Sequence, residues 1–177
     1  LLFDPRGELV GRAQEVFTAY ASPQPGWHQH DAESFWLAAA RCCQDLWRQD
    51  SAWRARVRGV AVTTQRGSLT AVDAQGLPLH PVITWLDQRR ATRIPRLPWW
   101  WRTAFALVRE GGTVRSFQHE AELNWLAEHE PVLHESAHKF LLVSGLLTHR
   151  LTGRFVESAG SLVAYLPIDF RRHAWAT

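Results

Sequence analysis

The sequence predicts an α/β domain, and three observations carry that expectation. Two apolar, β-branched runs, Val60-Ala61-Val62-Thr63-Thr64 and Val82-Ile83-Thr84, end abruptly in Gln65-Arg66 and in Trp85-Leu86-Asp87-Gln88-Arg89. A stretch with helical apolar spacing precedes them, between Asp31 and Trp47. Strand, helix, strand and hairpin in this order indicate layered α/β architecture. At 177 residues, 46% hydrophobic and 21% charged, the chain is ordinary globular material with enough length for one real core.

The elements follow in order. Leu1-Leu2-Phe3 leads into Asp4-Pro5-Arg6-Gly7 and then Glu8-Leu9-Val10, which reads as a hairpin because Pro and Gly there are turn chemistry. Glu15-Val16-Phe17-Thr18 is strand-like. Asp31 is a good N-cap, and Phe35, Trp36, Ala39, Ala40, Cys43, Leu46 and Trp47 recur at helical spacing behind it. Residues 58–64 are expected to be a strand. Leu69-Thr70-Ala71-Val72, Asp73-Ala74-Gln75-Gly76 and Leu77-Pro78-Leu79 repeat the first hairpin with the same Asp-x-x-Gly turn. Residues 93–118 are broken by Pro95, Pro98, Gly111 and Gly112, leaving one or two helical turns between Trp101 and Val108. Helices are expected from Glu120 to Glu128, from Pro131 onward, and from Val143 to Leu151 with a stop at Thr152-Gly153. Leu162 to Leu166 is a last short apolar run.

Charge and cysteine content exclude several classes. The net charge is +3, from nineteen Arg and one Lys against 17 acids, too small to announce a nucleic-acid protein. The densest basic stretch, Arg89 to Arg115, is interleaved with Trp99, Trp100 and Trp101; basic and aromatic residues together can bind single strands, but no nucleic-acid motif accompanies them. These tryptophans are expected to pack onto the domain. No run approaches the roughly 18 apolar residues of a membrane span. The expected partners therefore include neither nucleic acid nor membrane, while a homodimer stays open. Cys42 and Cys43 are adjacent, a poor structural disulfide, which fits a reducing cytoplasm. The sequence contains no Met and opens on Leu1-Leu2-Phe3, already strand-like, so it is expected to be a piece of a longer chain.

An ordered series of motifs resembles the FGGY carbohydrate kinases, the family of glycerol kinase and xylulokinase. In the first half these are Phe3-Asp4-x-x-Gly7, Pro25-Gly26-Trp27-x-x-x-Asp31, Thr64-Gln65-Arg66, Asp73-x-x-Gly76-x-Pro78-Leu79 and Ile83-x-Trp85-x-Asp87-x-Arg89. Later come Leu123-x-Trp125-Leu126, Glu130-Pro131, Lys139-Phe140-Leu141-Leu142, Arg150-Leu151-Thr152-Gly153 and Ser158-Ala159-Gly160-Ser161. The resemblance implies a ribonuclease-H-like (actin-like ATPase) domain truncated at both ends. Residues 1–177 would be part of the family's N-terminal, sugar-binding domain, with its first strand and the second domain absent. It implies phosphorylation of a sugar or polyol hydroxyl by ATP with Mg, whose ligands, like the catalytic base, would lie mostly outside this chain. No catalytic, ATP or metal residue is therefore assigned here, and the piece alone is expected to be inactive.

What the chain offers is a grip on the acceptor. Arg66 can donate several hydrogen bonds to hydroxyls, and Gln65 can donate and accept. Trp85 can lay its indole on the C–H side of a sugar. Asp87 can accept from hydroxyls, with Arg89 orienting it; the alternative is that Asp87 caps a helix starting at Gln88 and Arg89 is surface charge. In glycerol kinases the resemblance places a Glu after the Arg. Gly67 stands there instead, so glycerol is disfavoured and the sugar is left open. Phe117 is assigned to core packing.

A rival motif is His134-Glu135-Ser136-Ala137-His138, which matches H-E-x-x-H. Two His four apart on a helix can chelate zinc while the Glu activates water, which would make the protein a zinc metallohydrolase. No downstream His extends the motif: Leu141 and Ser144 occupy the relevant places. A non-catalytic sugar-binding module is the third class.

Overall fold

The computed structural model describes residues 1–16, 20–162, 168–169, 172 and 174–175. A hairpin of β1 (Leu2–Phe3) and β2 (Leu9–Gly11) opens the chain. The core sheet contains β3 (Gln29–His30), β4 (Leu69–Val72), β5 (Val82–Ile83) and β6 (Lys139–Leu142) in the order β3-β5-β4-β6, antiparallel throughout. Seven helices are described: α1 (Ala32–Gln49), α2 (Trp53–Arg56), α3 (Trp99–Leu107), α4 (Gly111–Glu120), α5 (Glu122–His129), α6 (Pro131–Ser136) and α7 (Val143–Thr152). A 3-10 turn spans Ala159–Leu162, and β7 (Ile168–Asp169) pairs with β8 (Ala174–Trp175).

The sheet is covered on both faces, and the period-2 alternation of strand side chains divides the core. Val72, Val82 and Leu141 turn toward α1 and α7, joining Ala32, Val143 and Leu146. Leu69, Ile83 and Leu142 turn the other way, onto Trp125 and Leu126 of α5 and Ala91. All four residues of β4 are buried, as a central strand between two helical layers requires. An ion pair from Arg150 to Glu33 ties α7 to α1.

Local signals formed the elements they announce. Asp31 accepts from Glu33 N at 3.2 Å and caps α1, Pro131 occupies the first turn of α6, and Gly153 closes α7 in the left-handed region at φ 70°. The two Asp-x-x-Gly turns have one geometry. Asp4 Oδ1 accepts from Arg6 N and Glu8 N, each at 2.9 Å; Asp73 Oδ1 accepts from Gln75 N at 2.9 Å and Leu77 N at 2.8 Å. Gly7 and Gly76 close them at φ 85° and 79°.

Other expectations need correction. Residues 58–64 form no strand: Val60 is 71% exposed, and no backbone ladder pairs the segment among the described residues. Its β-branched composition suits a pleated surface but does not create one without a neighbour to pair with. Glu15 and Val16 lie outside any strand, and Phe17 and Thr18 fall outside the described residues, as do residues 163–166 of the last apolar run. The Gly-Gly pair does not break residues 93–118 as expected; α4 starts on it. Phe117 is 48% exposed on α4, not in the core, and Trp99, Trp100 and Trp101 are exposed on α3 instead of packing onto the domain.

The twin turns yield a graded prediction. A Cβ on Gly7 would meet nothing within 4 Å, whereas one on Gly76 would stand 2.1 Å from His149 Cε1. Gly7→Ala should cost only the positive-φ penalty, about 1–2 kcal/mol. Gly76→Ala should cost more, about 3 kcal/mol or above, because the His149 ring, stacked on Phe155, must also be displaced. Urea unfolding of the two variants measures the difference; equal losses would show that His149 yields freely.

Candidate functional site

Antiparallel pairing of Leu69 with Ile83 brings the end of the 58–68 segment beside the exit of β5. The fully buried Ser68 then joins the two: its Oγ accepts from Gln65 Nε2 at 3.1 Å and from Trp85 N at 3.2 Å. Gly67, at φ 68°, lets the backbone turn there, and a Cβ on it would lie 3.5 Å from Trp85 Cβ. Gln65, Arg66 and Trp85 therefore share one rim of the sheet. All three are exposed, Trp85 at 58%, and Arg66 has no ion pair among the described residues.

Asp87 and Arg89 sit beneath that rim. Their side chains are 3% and 4% exposed. Arg89 Nε donates to Asp87 Oδ1 and Nη2 to Oδ2, both at 2.8 Å, the bidentate fork of a guanidinium on a carboxylate. Oδ1 also accepts from Arg89 N at 2.9 Å, and Oδ2 from His28 N at 2.8 Å. These four bonds fill the acceptor directions of a carboxylate. Arg89 pairs with Asp87, but the four bonds leave this buried carboxylate no free direction to accept from a hydroxyl, the role the sequence suggests for it. The alternative is corrected on both counts: no helix starts at Gln88, and Arg89 is not surface charge.

The Arg89 guanidinium lies between two indoles, 4.3 Å from the ring centre of Trp27 and 4.6 Å from that of Trp125. The indoles meet edge to face at 5.4 Å. Gln88 N donates to Gly26 O at 2.9 Å, closing the same junction through the backbone. This knot was not read from the sequence. Its signal was present in Gly26-Trp27, Asp87-x-Arg89 and Leu123-x-Trp125, three motifs from distant parts of the chain that prove to be one contact.

Burial opposes the charge of Asp87, but the bonds from Arg89 and from the His28 N–H outweigh it and hold its pKa below the carboxylate range. Glu122, which lines a small recess with Asp87, Arg89 and Trp125, behaves oppositely. Burial pushes it up to about 7; its own backbone N–H and Arg89 pull it down, and the Asp87 charge adds to the rise.

The zinc motif does not assemble. Helix α6 stops at Ser136, Ala137 turns to φ −65°, ψ 127°, and His138 donates its backbone N–H to Val72 O at 2.9 Å as β6 begins. His134 packs on Phe140 and His138 on Phe155, and no group of three or more His, Cys, Asp or Glu able to hold a metal is found among the described residues.

The sequence profile of the FGGY family of carbohydrate kinases, N-terminal domain, matches residues 1–176. The chain is 34% identical over 153 residues to an L-fuculokinase of Salmonella typhi, covering 86% of this chain and 32% of that protein. It is 28% identical over 178 residues to a glycerol kinase of Ectopseudomonas mendocina, covering 98% and 36%. It thus spans about a third of the length of the curated relatives it matches. Among solved structures, a xylulose kinase from Rhodospirillum rubrum superposes with TM-score 0.66 at 22% identity over 88% of this chain and 32% of that one. That likeness establishes the fold, the actin-like ATPase fold of the sugar kinases.

Two stability predictions follow from the buried charges. Arg89→Ala should cost about 3–5 kcal/mol, because it strands Asp87. The double variant Arg89→Ala, Asp87→Ala should recover part of that loss in urea unfolding; no recovery would mean the indole stacking carries the whole effect. Glu122 sets a pH slope. Between its ordinary 4.5 and its folded value of about 7 the native state keeps a proton that the unfolded chain has released, so stability falls as pH rises through that window. Asp87, shifted the other way, keeps its contribution above its ordinary 3.8 and loses it as pH falls from there through its lowered folded value. Glu122→Gln should flatten the slope and gain about 1–2 kcal/mol near pH 8. An unchanged slope would place the titration elsewhere.

Proposed function

The chain belongs to the FGGY family of carbohydrate kinases, and from that premise we propose that the protein transfers the terminal phosphoryl group of ATP, with Mg, to a hydroxyl of a sugar or polyol. Residues 1–177 supply much of the sugar side as part of the N-terminal domain of a longer kinase. The observation that supports the site is the rim itself: an exposed indole, and a guanidinium with no ion pair among the described residues, on two loops that one buried hydroxyl joins through Gln65 and Trp85. Trp85 provides a flat apolar wall for sugar C–H groups, Arg66 donates to hydroxyls, and Gln65 donates or accepts. Asp87 and Arg89 hold the loop that carries Trp85. Phosphoryl transfer depends mainly on positioning and charge stabilisation, and the part assigned to this chain is orienting the acceptor hydroxyl.

ATP and Mg belong to this reading, with their ligands mostly outside residues 1–177. Gly67, in place of the Glu of glycerol kinases, supports a sugar over glycerol. The free cysteines Cys42 and Cys43 support a reducing compartment such as the cytoplasm. Among the described residues no helix is long and apolar enough to cross a membrane.

The test is steady-state kinetics on the intact gene product across a sugar and polyol panel. Losing a hydrogen bond to a bound hydroxyl costs about 1–3 kcal/mol. Arg66→Ala and Trp85→Ala should therefore lower kcat/KM for the sugar about tenfold or more and leave the ATP KM nearly unchanged. Variants that disturb only ATP binding would refute the site, and silence on every acceptor would refute the activity.

A further inference from the structure

Helix α3 stands away from the core. It buries none of its residues, and Trp99, Trp100 and Leu107 are 72%, 55% and 80% exposed, with Trp101 and the following Val108 also exposed. Along the chain the run from Gln88 to Arg109 holds no Asp or Glu; Asp87 and Glu110 bound it, and Glu128 accepts from Thr92 N and Arg93 N on its flank. Arg89 and Arg90 are paired, with Asp87 and Glu120. Arg93, Arg96, Arg102 and Arg109 form no ion pair among the described residues.

We propose, against the sequence expectation of no membrane partner, which rests on the lack of a spanning run, that α3 and its flanking arginines form a docking surface for an anionic lipid surface, on which the helix lies in the plane of the headgroups. The unpaired arginines select a negative partner, and the shape of the apolar part selects among negative partners. Successive helical residues diverge by about 100°, so the three indoles point in different directions and form no groove. Trp99 and Trp100 meet edge to face at 6.0 Å, and Trp101 is stacked on Phe105 at 5.4 Å. A folded protein would need separate pockets for these rings. A single-stranded nucleic acid would need a row of stacking platforms, which Leu107 and Val108 do not provide. A bilayer interface accepts divergent indoles without preformed pockets, because Trp settles at headgroup depth while Arg reaches lipid phosphates. This surface is independent of the sugar rim and stands or falls without it.

The test is co-flotation of the intact gene product with vesicles of phosphatidylcholine alone and of an equal mixture of phosphatidylcholine and phosphatidylglycerol. Binding should require phosphatidylglycerol and weaken with added salt. The triple variant Trp99→Ser, Trp100→Ser, Leu107→Ser should reduce it roughly tenfold. Since those side chains are exposed, its melting temperature should stay near wild type. The pair Arg96→Gln, Arg102→Gln, which keeps every indole, should also reduce binding to the mixed vesicles. Several results overturn the proposal: no binding to either vesicle, equal binding to both, a self-association in sedimentation that the triple variant abolishes, or capture of a single-stranded oligonucleotide that depends on the same tryptophans.

Discussion

The buried guanidinium of Arg89 is the constraint on which the site depends. An arginine cannot shed its proton to enter the interior, so the fold must provide a counter-charge and a polarisable surround. Asp87 supplies the first through a bidentate pair, and the faces of Trp27 and Trp125 supply the second at 4.3 and 4.6 Å. Each partner comes from a different element: Trp27 from the approach to β3, Asp87 from the exit of β5, and Trp125 from α5. Placing this one charge therefore joins the edge of the sheet to the helical layer above it. It also fixes Trp85, two residues ahead of Asp87, whose backbone is held from the other side by Ser68. The exposed indole is anchored at both ends of a short loop, which spares a ligand much of the cost of ordering it.

Much of the fold was legible where the signal is local. Asp31 before a helical run, Pro131 at a first turn, Gly153 after a last one, and Asp-x-x-Gly between apolar residues each specify a geometry that needs no distant partner. The rim was legible in part for a related reason. Trp85 lies just past β5, where the buried sheet meets solvent, while Gln65 and Arg66 reach the same edge as residues that precede β4, not as the end of a strand over 58–64.

The misread parts depend on neighbours that sequence spacing does not show. Residues 58–64 have a strand's composition, but a strand exists only with a ladder partner. His134 and His138 have a helix's spacing, but the helix stops between them, because pairing of Lys139 with Val72 draws the chain into β6. Asp87 and Arg89 looked like a polar pair facing a ligand; only the return of Trp27 and Trp125 from 60 residues upstream and 36 downstream buries them. The exposed tryptophans of α3 are the converse case, since apolar residues in a sequence suggest a core whether or not anything is there to cover them.

The division between buried and exposed charge bears on what the rim can recognise. Asp87 and Arg89 neutralise each other under the surface, so the formal charge offered at the rim is that of Arg66. Among the described residues no carboxylate pairs with it, and Gly67 stands at φ 68°, a conformation that costs a residue with a side chain about 1–2 kcal/mol. A Glu at this point would be strained in the present backbone, so its absence is built into the turn as well as into the residue. A rim with a donor, an amide and an apolar face, but no fixed acceptor charge, distinguishes ligands by the stacking of their C–H faces and by hydroxyls that accept. On the proposed reading of the rim as a sugar site, that combination favours a ring or a longer carbon chain over a three-carbon polyol, which has little C–H surface to lay on Trp85.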